Sequence, residues 1–551
     1  MTKRITSIAS GLALLALMVC GPSLSAQENS PKMTLNRAIR FAVSPPLREL
    51  AGLPSPPHYG FPDQESTRLF VLPSSGTLRP AMDLVEQTRA GEPSNISIRL
   101  SVPGIARNGG FYQPDTNAAV GDTQVVEWVN FEYAVYSKST GAQELGPIPG
   151  NQIWQSLGGP CYENNDGDPI AQWDKVHHRW LLAQNVFNSP GILPPYYGCV
   201  AVSTSSDATG SYYLYQFPFG DNFPDYPKWG IWPNAYFQVL NNLGNEACCR
   251  LGADVCAYNS AKLLVGDSTA EQICFQLTPN DLFLLPGDVD SPAPPPSNQD
   301  EFFIGAYDVD QTNNHLYLYS MHPDFANPSQ STFAGSGLAD PITVPAYSSF
   351  CPNDDCIPQE GTAIRLASLG NRLMYRFAYW DDGPLANVGS HATRPPAQHW
   401  YVNHVATASG GQAGVRWYEF RAPVRTVTLS SVSLFQSGTF APDSNYRWAG
   451  SMAQDKMGDI ALGYSVASAS MWDSIAATGR MPTDPLGQME AEISLIAGTG
   501  SQEFNDGWGD YSSMAIDADG CTFWYAQEYY ITPSSYDWQT RLISFRFNGC
   551  H

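Results

Sequence analysis

From Asn95 onward the hydrophobic and polar positions fall into a recurring unit. A small or acidic residue opens it, a short apolar strand follows, then a turn rich in Asp, Asn or Gly, then a strand rich in aromatics. The unit is read in "AAVGDTQVVEWVNFEYAVYSKSTG" from Ala118, "DPIAQWDKVHHRWLLAQNV" from Asp168 and "DYPKWGIWPNAYFQVL" from Asp225. It returns in "EFFIGAYDVDQTNNHLYLYSM" from Glu301, "EGTAIRLASLGNRLMYRFAYW" from Glu360, "RWAGSMAQDKMGDIALGYSV" from Arg447 and "WGDYSSMAIDADGCTFWYAQEYY" from Trp508. Period-2 strands separated by turn residues at this spacing predict four-stranded antiparallel blades around one axis. The expected fold is therefore all-β, a seven-bladed β-propeller over residues 92–551. "NISIRLSV" is expected to complete the last blade beside the C-terminal strand "TRLISFRF", closing the ring.

In such a ring the innermost strand of each blade begins near the axis. The residues that open the units, Asp122, Asp168, Asp225, Glu301, Glu360, Arg447 and Trp508, are expected to ring the channel mouth, with Asp510 beside the last. "LPGDVDSPAPPPSNQD" from Leu285 reads as a Pro-rich connector.

Ahead of the units, "MTKR", "IASGLALLALMVC" and "PSLSA" read as a secretory signal over residues 1–26, and residues 27–91 as a flexible, extended Pro/Ser-rich leader. Loss of the signal removes Cys20 and leaves ten of the eleven cysteines, an even number suited to disulfides in a secreted or periplasmic protein. Cys161–Cys199, Cys351–Cys356 and Cys521–Cys550 are the expected local staples; pairing among Cys248, Cys249, Cys256 and Cys274 is open. The charge of −23 repels phosphate backbones, so nucleic acid is excluded as a partner. No later stretch is long and apolar enough for a membrane span, and the chain is expected to act as a monomer.

At "DPIAQWDKVHHRWLLAQ", "RWAGSMAQDKMGDIALGYSV" and "WGDYSSMAIDADGCTFWY" the chain resembles secreted bacterial β-propeller proteins described as sialidase-like or BNR-repeat-like. The segment "DADGCTFW" is similar to an Asp-box but differs in its Asp–Gly spacing, and the Arg-Ile-Pro motif of sialidases is missing. The resemblance thus implies the fold more than the sialidase reaction.

Glycosidic cleavage requires one protonated carboxyl and a second that attacks or activates water. Asp168, Asp225, Glu360 and Asp510 are the candidates for this pair. Arg376, Arg416 and Arg447, each in an aromatic strand, are candidates to clamp a substrate carboxylate. Tyr226, Trp229, Trp448, Trp508 and Tyr511 are candidate sugar platforms. Each has a structural alternative: turn bracing for the aspartates, internal ion pairs for the arginines, core packing for the aromatics. No organic cofactor motif occurs. "NNDGDP" (164–169), "DVDQTNN" (308–314) and "DADG" (517–520) offer oxygen ligands for Ca²⁺. The functional expectation is a glycan-active protein, a glycoside hydrolase or polysaccharide lyase working at the channel mouth; the alternative is a non-enzymatic propeller binding glycan or protein.

Overall fold

The computed structural model describes residues 31–53, 82–107, 113–188, 193–245, 249–306, 314–335, 341–351, 355–383, 396–422, 427–504 and 507–551. The expected signal peptide lies outside them, as does most of the "DVDQTNN" loop. The chain is nearly all-β, with only short helical turns. Among the described residues most strands fall into seven meandering sets. The first runs Asn117–Val120, Gln124–Val129, Glu132–Ser137 and Gln143–Pro149. The second runs Ile170–Asp174, Arg179–Asn188, Leu193–Ser203 and Tyr212–Gly220; the third Phe223–Trp232, Ala235–Leu243, Arg250–Tyr258 and Glu271–Gln276. The fourth runs Leu285–Val289, Glu301–Gly305 and His315–His322, with Thr332–Ala334 and Pro341–Thr343 both pairing the last of these. The fifth is Met374–Asp381, Gln398–Thr407, Ala413–Ala422 and Ser433–Phe440; the sixth Tyr446–Gln454, Ile460–Ser468, Met471–Arg480 and Ile493–Ile496. The seventh is Ser513–Ile516, Phe523–Tyr530 and Trp538–Phe547, completed by Ile96–Ala106 as expected.

The first strands of successive sets pack on one another, and that of the seventh packs on that of the first. Polar groups stitch most of these contacts. The Ala171 amide donates to Asn117 Oδ1 (2.8 Å), Gln172 Nε2 to the Trp229 carbonyl (2.7 Å) and the Ile231 amide to Asp288 Oδ1 (3.0 Å). Gly287–Val289 pairs in parallel with Phe377–Tyr379. Asn403 Nδ2 donates to the Gly450 carbonyl (3.1 Å), the Met514 amide to Ser451 Oγ (3.0 Å), and Ser513 Oγ to the Ala118 carbonyl (2.7 Å).

The leader departs from the loose packing expected of it. Lys32–Arg37 pairs along Glu271–Gln276, the last strand of the third set, and Arg40–Val43 along Tyr212–Gly220 of the second. Glu86–Gln87 pairs with Thr439–Phe440 of the fifth. These are outermost strands whose free N–H and C=O groups would otherwise face solvent, and the leader satisfies them. A short helix, Leu47–Leu50, buries both leucines against Ile153 and Trp154. The strands themselves, "KMTLNR", "RFAV" and "EQ", hold no Pro or Ser; they are short, and the Pro- and Ser-rich residues around them mask their pattern.

Three expected first strands are displaced. Asp122 lies in the turn after the first strand of its set, where its carboxylate meets His178 Nδ1 at 2.8 Å. Glu301 opens a second strand, because "LPGDV" is itself the first: Leu285 and Pro286 pair antiparallel with Ile304 and Phe303, and Gly287–Val289 pairs in parallel with the fifth set. Glu360 follows the strand Asp355–Pro358 of a hairpin, with Arg365–Ala367, inserted ahead of the fifth set. The neighbouring Gly361 abuts Trp472 of the sixth set's third strand.

The three expected disulfides are present, together with Cys256–Cys274. No helix among the described residues is long and apolar enough to cross a membrane.

Glu127 joins the first set to the seventh. Buried completely, it accepts hydrogen bonds from the Ile105 amide (2.7 Å), Thr540 Oγ1 (2.5 Å) and the Tyr136 hydroxyl (3.3 Å). Glu127→Ala should lower unfolding free energy by on the order of 1–3 kcal/mol through the donors left unpaired. Urea denaturation checks it; an unchanged midpoint would show that Glu127 does not hold this seam.

Candidate functional site

Six of the seven first strands are led in the same unusual way. Two or three residues before the strand, or at a bulge within it, a non-glycine residue has positive φ: Asp115 (48°), Asp168 (50°), Tyr226 (53°), Phe283 (55°), Ala449 (48°) and Asp510 (47°). Left-handed backbone costs an L-residue about 1–2 kcal/mol, and such strain persists only where surroundings impose it. Here it bends the chain just ahead of four first strands and at a bulge within two more.

Four aspartates meet around one lysine. Lys228 is 1 % exposed, and its Nζ lies 3.4 Å from the ring centroids of both Tyr226 and Tyr511. The two rings stand edge to face at 5.2 Å. The Tyr511 hydroxyl donates to Asp168 Oδ1 at 2.7 Å, linking the seventh set to the second. Burial pushes the Lys228 amine down to about 7, against the opposing charges of Asp168, Asp510, Asp115 and Asp225. Burial likewise pushes the carboxyl of half-buried Asp225 up to about 7; Asp168 and Asp510 push the same way, Arg372 and Lys228 against it. Arg372 lies 4.6 Å from the Phe283 ring centroid. The arrangement combines a carboxyl that holds its proton near neutrality with other carboxyl groups, an amine able to release its proton, and two tyrosine rings packed on that amine.

Of the candidate carboxylates, Asp168, Asp225 and Asp510 come together and Glu360 does not, since its hairpin belongs to an insertion. Of the candidate platforms, Tyr226 and Tyr511 line the cluster. Trp229 stacks on Tyr258 at 4.7 Å and is core. Trp448 and Trp508 are fully buried against each other at 5.7 Å, with Trp508 Nε1 donating to Ser465 Oγ.

The arginines take their structural alternative. Arg376 fills the centre of the ring, paired to Asp288 (2.6 Å) and Asp290 (2.8 Å) and donating to the Met514 carbonyl (2.6 Å). Lys175 joins Asp290 from the second set at 2.9 Å. The cavity left among these residues is only about 20 Å³, too small to admit substrate. Arg416 is fully buried between Asp83, Thr439 and the Pro345 carbonyl, and Arg447 between Asp443 and Glu492.

Sequence reasoning missed Asp115, Lys228 and Arg372. "DYPKWG" held the signal for Lys228: a cation between aromatics in a segment otherwise reading as core. In the loops read for Ca²⁺, Asp166 accepts the Phe187 amide, Asp517 pairs with Lys138 (3.0 Å), and Asp519 accepts the Cys521 and Thr522 amides.

Two predictions test this division of roles. Arg376→Met should unfold the protein more easily by about 3–5 kcal/mol, because it leaves Asp288 and Asp290 buried with too little positive charge; a stable variant would return Arg376 to the candidate binding residues. The pH dependence also has a definite sign. Asp225 titrates near 7 when folded and near ~3.9 when unfolded. Its contribution to stability is full below the unfolded value and is lost as pH rises through about 7. Glu127 and Asp254, also raised to about 7 chiefly by burial, act in the same sense. Lys228 adds little there, since its contribution changes only between its folded value near 7 and its unfolded ~10.4. His404, pushed down to about 3 by burial, acts in the opposite sense below its unfolded ~6.5, so the outcome is read as a difference: from about pH 4 to pH 7 the melting temperature of wild type should fall relative to that of Asp225→Asn, and parallel melts of the two proteins decide it.

No protein-family model matches the chain, and no curated protein matches its sequence. Solved structures that match it include the WD40 domain of SCAP from fission yeast, at 8% identity and a TM-score of 0.31, covering 78% of this chain and 82% of that one. Trypanosoma rangeli sialidase in complex with the inhibitor DANA matches at 10% identity and 0.29, covering 62% and 57%. The catalytic domain of Coprinopsis cinerea GH62 alpha-L-arabinofuranosidase matches at 11% identity and 0.28, covering 70% and 92%. At these identities and scores the likenesses assign the chain to no family and carry no argument about its chemistry.

Proposed function

We propose that the seven strand sets are the blades of one seven-bladed β-propeller, and that this secreted protein hydrolyses an extracellular glycan at the end of the ring where the first strands begin. The circuit of packed and hydrogen-bonded first strands supports the blade count; the four disulfides suit an oxidising compartment. The observation that carries the catalytic reading is Asp225, a carboxyl raised to about 7 beside Asp168 and Asp510. Glycosidases need such a split: a carboxylic acid to protonate the leaving oxygen and a carboxylate to attack or to activate water. Asp225 takes the acid role, Asp168 or Asp510 the other. Tyr226 and Tyr511, packed on the Lys228 amine, close the buried side of the cluster.

Charge narrows the substrate. With Asp225 protonated, Asp115, Asp168 and Asp510 face Lys228 and Arg372, leaving a site that repels an anion. Arg376, Arg416 and Arg447 are engaged elsewhere. A neutral glycan fits better than a sialylated or uronate-rich one, and hydrolysis better than elimination from a uronate. A second reading, glycan or protein binding without catalysis, draws on the low exposure of Asp510 (5 %) and Tyr511 (2 %).

A glycan array followed by product analysis on each bound glycan separates the two. Hydrolysis predicts new reducing ends, lost by about 10²-fold or more in Asp225→Asn and Asp510→Asn while both variants remain folded at the assay pH. Bound glycan recovered intact supports the binding reading. Full turnover in both variants would sink the catalytic roles.

A further inference from the structure

We propose that Asp473 and Glu528 hold a hard divalent cation of the calcium class between the sixth and seventh strand sets. This stands independently of the glycan reading. Asp473 lies near the start of Met471–Arg480 and Glu528 near the end of Phe523–Tyr530, strands that pack against each other. The segment Gly498–Gln502 runs between them. The Gly498 amide donates to Ser474 Oγ and the Thr499 amide to the Tyr530 carbonyl, both at 3.0 Å. A Cβ on Gly498 would sit 2.0 Å from the Asp473 carbonyl oxygen and 3.3 Å from that of Tyr530. The Tyr530 hydroxyl donates to Gln502 Oε1 at 3.1 Å and feels the charge of both Glu528 and Asp473.

Both carboxyls are completely buried, at 0 % exposure. Among the described residues none of their four oxygens has a hydrogen-bond partner, nor has buried Ser501 Oγ. The Gln502 amide approaches Asp473 and the Gly509 amide approaches Glu528 without ordinary hydrogen-bond geometry; the Gln502 amide instead donates to Gln359 Oε1 at 2.7 Å. Burial pushes both carboxyls well above the usual range, and at Glu528 the charges of Asp473 and Asp510 push further.

Two neutral acids would still leave these oxygens unpaired, and buried polar groups in native proteins are seldom left so. One cation satisfies them together. Carboxylates and a hydroxyl, with no sulfur or imidazole, select a hard ion. Irregular ligation from a loop between two strands suits Ca²⁺ better than octahedral Mg²⁺, which keeps several waters. The ion would also steady the turn that presents Asp510, since Glu528 Oε2 lies 3.7 Å from where a Cβ on Gly509 would stand.

The test uses the full protein, stripped with EDTA and desalted. Tb³⁺ should give sensitised luminescence, because Trp508 stacks on Tyr530 at 5.8 Å beside the site. Ca²⁺ should quench it by competition, bind once per chain by calorimetry, and raise the melting temperature by several degrees, with Mg²⁺ much weaker. Asp473→Asn and Glu528→Gln should each abolish all three responses. The proposal fails if stripped wild type neither binds Ca²⁺ nor shifts its melt, if both variants respond like wild type, or if both are more stable than wild type and wild type ignores Ca²⁺. Should a variant not fold, the wild-type luminescence and calorimetry still decide.

Discussion

Arg376 is the contact on which the rest depends. A ring of β-sheets must fill its own centre, and the first strands here carry small or apolar residues that leave a gap at the axis. Arg376 fills it with charge. Its guanidinium, from the fifth set, bonds Asp288 and Asp290 of the fourth and a carbonyl of the seventh, while Lys175 following the second set's first strand completes the pairing. Burial alone would raise Asp290; the charges of Arg376 and Lys175 hold it below its usual value instead. Such a network adds little net stability over an apolar plug of the same shape. What it adds is direction: each planar N–H bond is satisfied only if these sets keep their rotation about the axis, so the plug also fixes register.

That register brings the leading residues together. Once the first strands are locked side by side, the turns and bulges that lead into them have little freedom, and at six of them one non-glycine residue adopts left-handed backbone. Aspartate tolerates this conformation better than most residues, so part of the reason Asp115, Asp168 and Asp510 stand where they do is geometric. Bracing and chemistry are not alternatives for such a residue. A turn that must be rigid to start a strand also holds a carboxylate rigid, and pre-organisation is what an acid–base pair requires. The less conformational explanation belongs to Lys228 and Asp225. Neither charge helps the turn, and each loses solvation by being there.

The strands were legible because period-2 alternation and Asp/Gly turns are local, and so was the return of "NISIRLSV" to the C-terminal strand. The registration of strands within units was less so. Asp122 and Glu301 were misplaced because the first strands ahead of them, "NAAV" and "LPGDV", are short and apolar or carry Pro and Gly; Glu360 was misplaced because a hairpin is inserted ahead of the fifth set, whose first strand "MYRFAYWD" itself carries the conspicuous aromatics. "LPGDV" looked like a linker, and "LMYRFAYW" like a second strand. The site was half legible. Asp168, Asp225, Asp510, Tyr226 and Tyr511 follow from position within the unit. Arg376, Arg416 and Arg447 did not, because sequence shows an arginine among aromatics but not the acids, such as Asp83 far upstream, that occupy it.

Acidity connects these observations. A chain with net charge −23 that also buries carboxyls must neutralise them one by one. Arginine does so at the axis, and hydrogen bonds at Glu127. Asp225 does so by holding its proton to about 7, which suits it to the acid role proposed for it. Asp473 and Glu528 have neither arginine nor hydrogen-bonding partner among the described residues, and protonation alone leaves their oxygens unpaired. The same constraint, different in each place only by the neighbours within reach, thus yields a structural plug, a candidate acid and a candidate cation site.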